Sequence, residues 1–203
     1  MLSSLLYAVM LVLVPMGWEG YSSASHTVSE LSAIDAPTRP LWVSLGWIWT
    51  ALYVAFGWGV RAAARGSRLL RTAGALIVAQ GVIGLFWPPM HQREILAAGG
   101  GSLTDSLHIA WTVMNGILTL LAMSFAAMAI GKRFRVYSIA TMLVLAAAGL
   151  VTGLDASRIQ ANLPTPWVGV WERINIAVWL SWIVVLSVTL LRRPTIQGEG
   201  MRP

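Results

Sequence analysis

The chain predicts an all-α fold: a polytopic membrane helix bundle with six transmembrane helices, both termini cytoplasmic, forming one membrane domain over residues 1–203. Three observations predict it. Hydrophobic residues make up 57% of the sequence and charged residues 11%, far from the roughly 45–50% and 25% of soluble domains. Apolar runs recur at about 2–18, 41–60, 69–88, 105–130, 136–153 and 171–191, close to the roughly 20 residues that a helix needs to cross a bilayer. Charge also sorts by side when the runs alternate in direction. Arg61, Arg65, Arg68, Arg71, Lys132, Arg133, Arg135, Arg192, Arg193 and Arg202 fall on one face, while Glu19, Glu30, Asp35, Glu94, Asp105, Asp155, Glu172 and the three histidines fall on the other. Basic turns stay in the cytoplasm, so the first face is the inner one.

The first run ends near Pro15. Ser22, Ser23 and Ala24 offer small residues for cleavage, but the start lacks a basic n-region, so a retained helix is expected rather than a signal peptide. A polar loop from Glu19 to Pro40 follows, then the second run, which ends in the arginine cluster. The third run carries Gln80 and is expected to stop at Pro88-Pro89, because proline removes a helix donor and restricts its predecessor. Gly99-Gly100-Gly101 lacks the Lys-Ser/Thr of a phosphate-binding loop and reads as a connector. The fourth run places Asp105, His108, Thr112, Asn115 and Thr119 three or four residues apart, on one stripe of a helix. The fifth run contains Gly149-Leu-Val-Thr-Gly153, a spacing that lets helices approach. A loop with Pro164 and Pro166 leads to the sixth run, and a polar tail, 192–203, closes the chain.

Trp18, Trp42, Trp87, Trp167 and Trp171 lie near predicted helix ends, where amphipathic rings anchor at headgroup level. The sequence has no cysteine, which removes disulfide and thiolate chemistry. The net charge of +6 is a topology signal with membrane lipids as the partner. It is not a nucleic-acid patch.

Tyr21-Ser-Ser-Ala-Ser-His-Thr-Val-Ser-Glu-Leu-Ser-Ala33, Gly84-Leu-Phe-Trp-Pro88 and the Asp105–His108 stretch resemble the domain-of-unknown-function 998 family of bacterial multi-pass membrane proteins. Family members more often carry Gly where Ser32 stands. The resemblance implies a helix bundle in the bacterial plasma membrane and no settled activity.

Ionisable groups at membrane depth turn toward a bundle interior or a water-filled cavity. Glu30, Gln80, Asp105, His108, Thr112, Asn115, Glu172 and Asn175 are therefore the candidates to line an outward-facing polar pocket, with Tyr53, Trp87, Trp179 and Trp182 below. Such a space suits a small molecule or lipid, and an accessory membrane role is the other face of this reading. Two alternatives stand beside it. One is a metal-dependent hydrolase, with His26, His91 and His108 as zinc ligands and His91, Asp105 and His108 as catalytic candidates, since zinc with an open position activates water. In residue type this set is similar to the membrane hydrolase superfamily that includes alkaline ceramidases, but no His-x-x-x-His pair is present, and no role carries over. The other alternative is a small transporter, although no internal repeat supports it. Purely structural roles compete with all three. Thr27-Val-Ser-Glu30 and Ser102-Leu-Thr-Asp105 match capping boxes, and Asp155 with Arg158, or Glu172 with a neighbouring arginine, fit as simple pairs.

Overall fold

The computed structural model describes residues 1–192. Arg193, Arg202 and the expected tail beyond residue 192 lie outside the described residues. Eight α-helices follow in order: α1 (Leu2–Leu13), α2 (Arg39–Ala62), α3 (Arg68–Gly84), α4 (Arg93–Ala97), α5 (Leu103–Ile130), α6 (Lys132–Leu154), α7 (Ala156–Gln160) and α8 (Val168–Leu191). Two 3₁₀ turns, Val14–Gly17 and Ser29–Ser32, complete the secondary structure of the described residues, which contain no strand. Four segments are long and apolar enough to cross a membrane: α2, α5, α8 and the Lys132–Gln160 run that joins α6 to α7.

The six longer helices form a closed ring. Each of α1, α2, α3, α5, α6 and α8 packs on the next, and α8 returns to α1. The turn from α2 to α3 and the turn from α5 to α6 lie at one end, with Arg61, Arg65, Arg68, Arg71, Lys132, Arg133 and Arg135. The three long connections lie at the other. The ring closes where Ser4 Oγ donates to the Leu180 carbonyl at 3.4 Å. Leu180 is halfway along α8, so α1 starts level with the middle of the ring and stops short of the basic end. The ring's centre is filled by rings of another kind: Tyr7, Trp49, Tyr53 and Trp179 meet at centroid separations of 5.0 to 6.1 Å. These side chains occupy the space that the sequence assigns to a pocket floor.

Helix ends differ from the hydropathy pattern for local reasons. α3 ends at Gly84, well before Pro88-Pro89, because the Leu85 and Phe86 amides turn back to the Val82 and Ile83 carbonyls. α6 begins at Lys132 rather than near Val136, since Gly131, at φ 123°, reverses the chain in one residue. The first run is a 12-residue α-helix followed by a 4-residue 3₁₀ turn that contains Pro15. Of the small-residue pair in α6, Gly149 faces the Asn175 amide, and Gly153 faces open space.

α5 changes its company along its length. Near the basic end its arc of Met123 and Ala127 is fully buried, while the same side of the helix nearer the loops, at Thr112 and Gly116, is exposed. α6 behaves alike: Leu145 and Ala148 are buried toward α8, and Ala146, Ala147, Gly149 and Gly153 are exposed. The two helices therefore pack near Gly131, where Ser124 Oγ reaches Met142 Sδ at 3.4 Å, and part toward the loop end.

The tightest approach in the ring is between α2 and α3. A Cβ on Gly74 would lie 2.8 Å from the Arg61 nitrogen and 2.8 Å from the Gly57 carbonyl oxygen, both rigid helix backbone. Gly74→Ala is expected to cost about 1–3 kcal/mol by overpacking, read as a lowered thermal midpoint in detergent. Gly46→Ala, which meets nothing, is the control, and equal midpoints for the two variants would contradict the close approach.

Candidate functional site

The loop end is a hydrogen-bonded cap built from three segments distant in sequence. At its centre Glu30 and Arg93 are almost fully buried. The Arg93 fork donates from Nε to Glu30 Oε1 at 2.6 Å and from its second terminal nitrogen to Oε2 at 2.8 Å. Both groups make further bonds. Glu30 Oε2 accepts from the Thr27 amide at 2.6 Å and from Thr27 Oγ1 at 3.0 Å. Arg93 donates to Thr165 Oγ1 at 3.2 Å and to the Ser25 carbonyl at 3.3 Å, and Thr165 itself donates to Ser25 at 2.8 Å. The Thr27-to-Glu30 capping box thus exists, but it opens a 3₁₀ turn, and its carboxylate is shared with an arginine 63 residues away.

The first loop also docks on the start of α8. The Val28 amide donates to a Glu172 carboxylate oxygen, and the Gly169 amide donates to the Ala24 carbonyl at 2.9 Å. A Cβ at Gly169 would sit 2.2 Å from the His26 oxygen, so the loop can lie this close only over glycine. Arg173 donates to the Ser23 carbonyl at 2.7 Å and to Tyr21 Oη at 2.8 Å, and Tyr21 donates onward to the Thr27 carbonyl at 2.8 Å. Burial pushes the Tyr21 phenol up to about 12, so it stays protonated and keeps that donor.

A second site lies above α5. Asp105 accepts from the His91 amide at 2.7 Å and pairs with His91 Nδ1 at 2.9 Å, while completing the capping box with Ser102. This is an oriented Asp–His pair, with the carboxylate fixing the imidazole. His108 Nδ1 lies 2.8 Å from the Pro88 carbonyl, and its ring meets Trp87 edge to face.

Deeper in the ring, Gln80 bridges three helices: it accepts from Tyr53 Oη at 3.2 Å and donates to Thr119 Oγ1 at 2.8 Å and the Asn115 carbonyl at 3.2 Å. The Asn115 amide and Thr112 hydroxyl bond back to their own helix, at Trp111 and His108. Asn175 donates to the Leu145 carbonyl at 2.8 Å, tying α8 to α6.

The eight pocket candidates therefore do not line one space. Glu30 and Glu172 sit together under the first loop, Asp105 and His108 at the start of α5, Gln80 with Asn115 in the interior, and Asn175 between α6 and α8. Thr112 faces outward. Nor do the histidines gather. His26 Nδ1 accepts from the Ser22 amide at 3.0 Å, and His91 and His108 use Nδ1 as just described, each on a different element. Among the described residues no three His, Asp or Glu groups come together to hold a metal ion, so the side chains present do not fit a zinc centre of His26, His91 and His108.

Arg93 and Arg173 are the functional residues that motif reading misses. A signal for them exists: Arg39, Arg93, Arg158 and Arg173 are the four basic residues among the acids at this end, and each reaches a carbonyl or carboxylate of the cap. Removing one partner of a buried pair leaves an uncompensated charge. Arg93→Met is expected to cost about 3–5 kcal/mol, seen as a fall in thermal midpoint, and adding Glu30→Gln is expected to recover most of it. Losses that simply add would mean that the two groups act separately.

No curated protein and no solved structure matches the chain. A family model described as "Protein of unknown function (DUF998)" matches residues 1–189, nearly the whole sequence, from α1 into the last turn of α8. The chain therefore belongs to the DUF998 family.

Proposed function

We propose that this is a multi-pass protein of the bacterial plasma membrane, with the basic turns cytoplasmic and the capped end outside, and that it binds an amphiphile, a lipid or lipid-like small molecule, between α5 and α6 in the outer leaflet. The observation that carries the reading is the change in exposure along α5, buried at Met123 and Ala127 and open at Thr112 and Gly116. The outer halves of α5 and α6 carry exposed small residues, Gly116 on one and Ala146, Ala147 and Gly153 on the other, and nothing lies against Gly116 or Gly153, which leaves room for a chain of methylenes. Above it lie the exposed hydroxyl of Ser102 and the His91–Asp105 pair, at the level where a polar headgroup would sit. Apolar walls with a few directed polar groups are the usual make-up of such sites. Beside the four long segments, the short α3 makes a fifth crossing, while α1, which starts level with the middle of the ring, reaches only halfway and falls short of the sixth that the sequence predicts. At 1.5 Å per residue α3 spans about 26 Å against a hydrocarbon core of about 30 Å, a mismatch that local thinning and long flanking side chains absorb.

Two experiments test this. Gly116→Trp fills the opening from the exposed side and is expected to remove lipid that co-purifies with the wild-type chain, measured by mass spectrometry of extracted lipid, with the thermal midpoint unchanged. Undiminished lipid would contradict the site. The absence of native cysteine permits single-cysteine topology mapping. Glu94→Cys is expected to react with an impermeant maleimide in intact cells, and Arg133→Cys only after permeabilisation. The reverse pattern would invert the orientation.

A further inference from the structure

A second concavity, of about 520 Å³, lies at the end opposite the cap, between the start of α6 and the last turns of α8. Lys132 and Arg133 stand on its rim, and Phe134, Tyr137, Val185 and Thr189 form its walls. Both cations are exposed, and among the described residues neither has an ion-pair partner, because every described carboxylate is at the loop end. The one further acid, Glu199, shares residues 193–203 with Arg193 and Arg202, so that segment brings no net negative charge. Arg135 adds a third cation to a first turn that contains no acid, at the helix end where positive charge is unfavourable. The groove therefore combines uncompensated positive charge at its mouth with an apolar wall.

We infer that this groove binds an anionic phospholipid of the cytoplasmic leaflet, the phosphate between Lys132 and Arg133 and an acyl chain along Phe134 and Val185. A polar anion alone would leave the wall uncovered, and a neutral lipid would leave the cations unmatched. The inference rests on the membrane reading of the fold but not on the opening between α5 and α6, which lies at the other end of the same helices.

Native mass spectrometry of the detergent-purified full chain, titrated with phosphatidylglycerol or phosphatidylcholine, tests it. Wild type is expected to hold phosphatidylglycerol in preference. Lys132→Gln/Arg133→Gln is expected to weaken that binding about thirtyfold, from the worth of two basic groups at an anionic surface. Thr189→Trp, which narrows the groove with its charges intact, is expected to weaken it too. Arg68→Gln/Arg71→Gln, an equal loss of charge on the neighbouring turn, is expected to leave it unchanged. Both charge variants alter exposed side chains, so the core stays intact. Equal losses from the two double variants would reduce the effect to diffuse surface charge and overturn the site. Full binding by Lys132→Gln/Arg133→Gln or by Thr189→Trp, or displacement of the lipid by inorganic phosphate, would overturn it as well.

Discussion

Taking a carboxylate and a guanidinium out of water costs several kcal/mol per ion, and their attraction offsets this only when geometry is good and every remaining donor and lone pair is satisfied. Glu30 and Arg93 come close to those terms. The carboxylate accepts from Arg93 twice and from Thr27 twice, and the guanidinium continues to Thr165 and Ser25. The pair is thereby a junction between the first loop, the α4 segment and the α7–α8 connection. Once the first loop is pinned there, its Val28 amide reaches Glu172 and its carbonyls reach Arg173 and Gly169, so the entry to α8 is set by the same contact. Long connections at a membrane surface would otherwise carry many unpaired backbone groups. Here the charges of one sign are few, and each is spent on holding a loop.

The helices were legible because their causes are local. Apolar length and the Ser102–Asp105 box act within a few residues; the box is present, and four of the six apolar runs become helices long enough to cross a membrane. The wet stripe of α5 was legible as a stripe but not as a pocket. Its members find partners one at a time, Asp105 in His91, His108 in Pro88, Thr119 in Gln80, and that partition depends on which helix lies opposite. Arg93 was illegible for the same reason. A lone arginine in a loop reads as solvated until the residue 63 positions earlier that buries it is known. The extent of α1 is a third case: its apolar run is continuous, but its depth is fixed by Ser4 meeting Leu180.

The two ends of the ring differ in kind. At the capped end the four arginines are matched to carboxylates and carbonyls, while Glu19, Asp35 and Glu94 stay exposed. At the other end Lys132 and Arg133 have no ion-pair partner among the described residues. In the middle, Gln80, Asn175 and the Ser138–Trp182 bond at 3.0 Å join neighbouring helices where apolar packing against lipid provides little preference. Between these fixed points, α5 and α6 separate, and that is where the proposed amphiphile enters.

The central claim is that the extramembrane loops form a rigid cap organised by one buried ion pair. Hydrogen–deuterium exchange of the wild-type chain in nanodiscs tests it most directly. The amides of Thr27 to Ala33 are expected to exchange as slowly as those in the first turns of α8, because they are bonded within the cap. Exchange across Tyr21 to Ile34 at the rate of an open loop would contradict it.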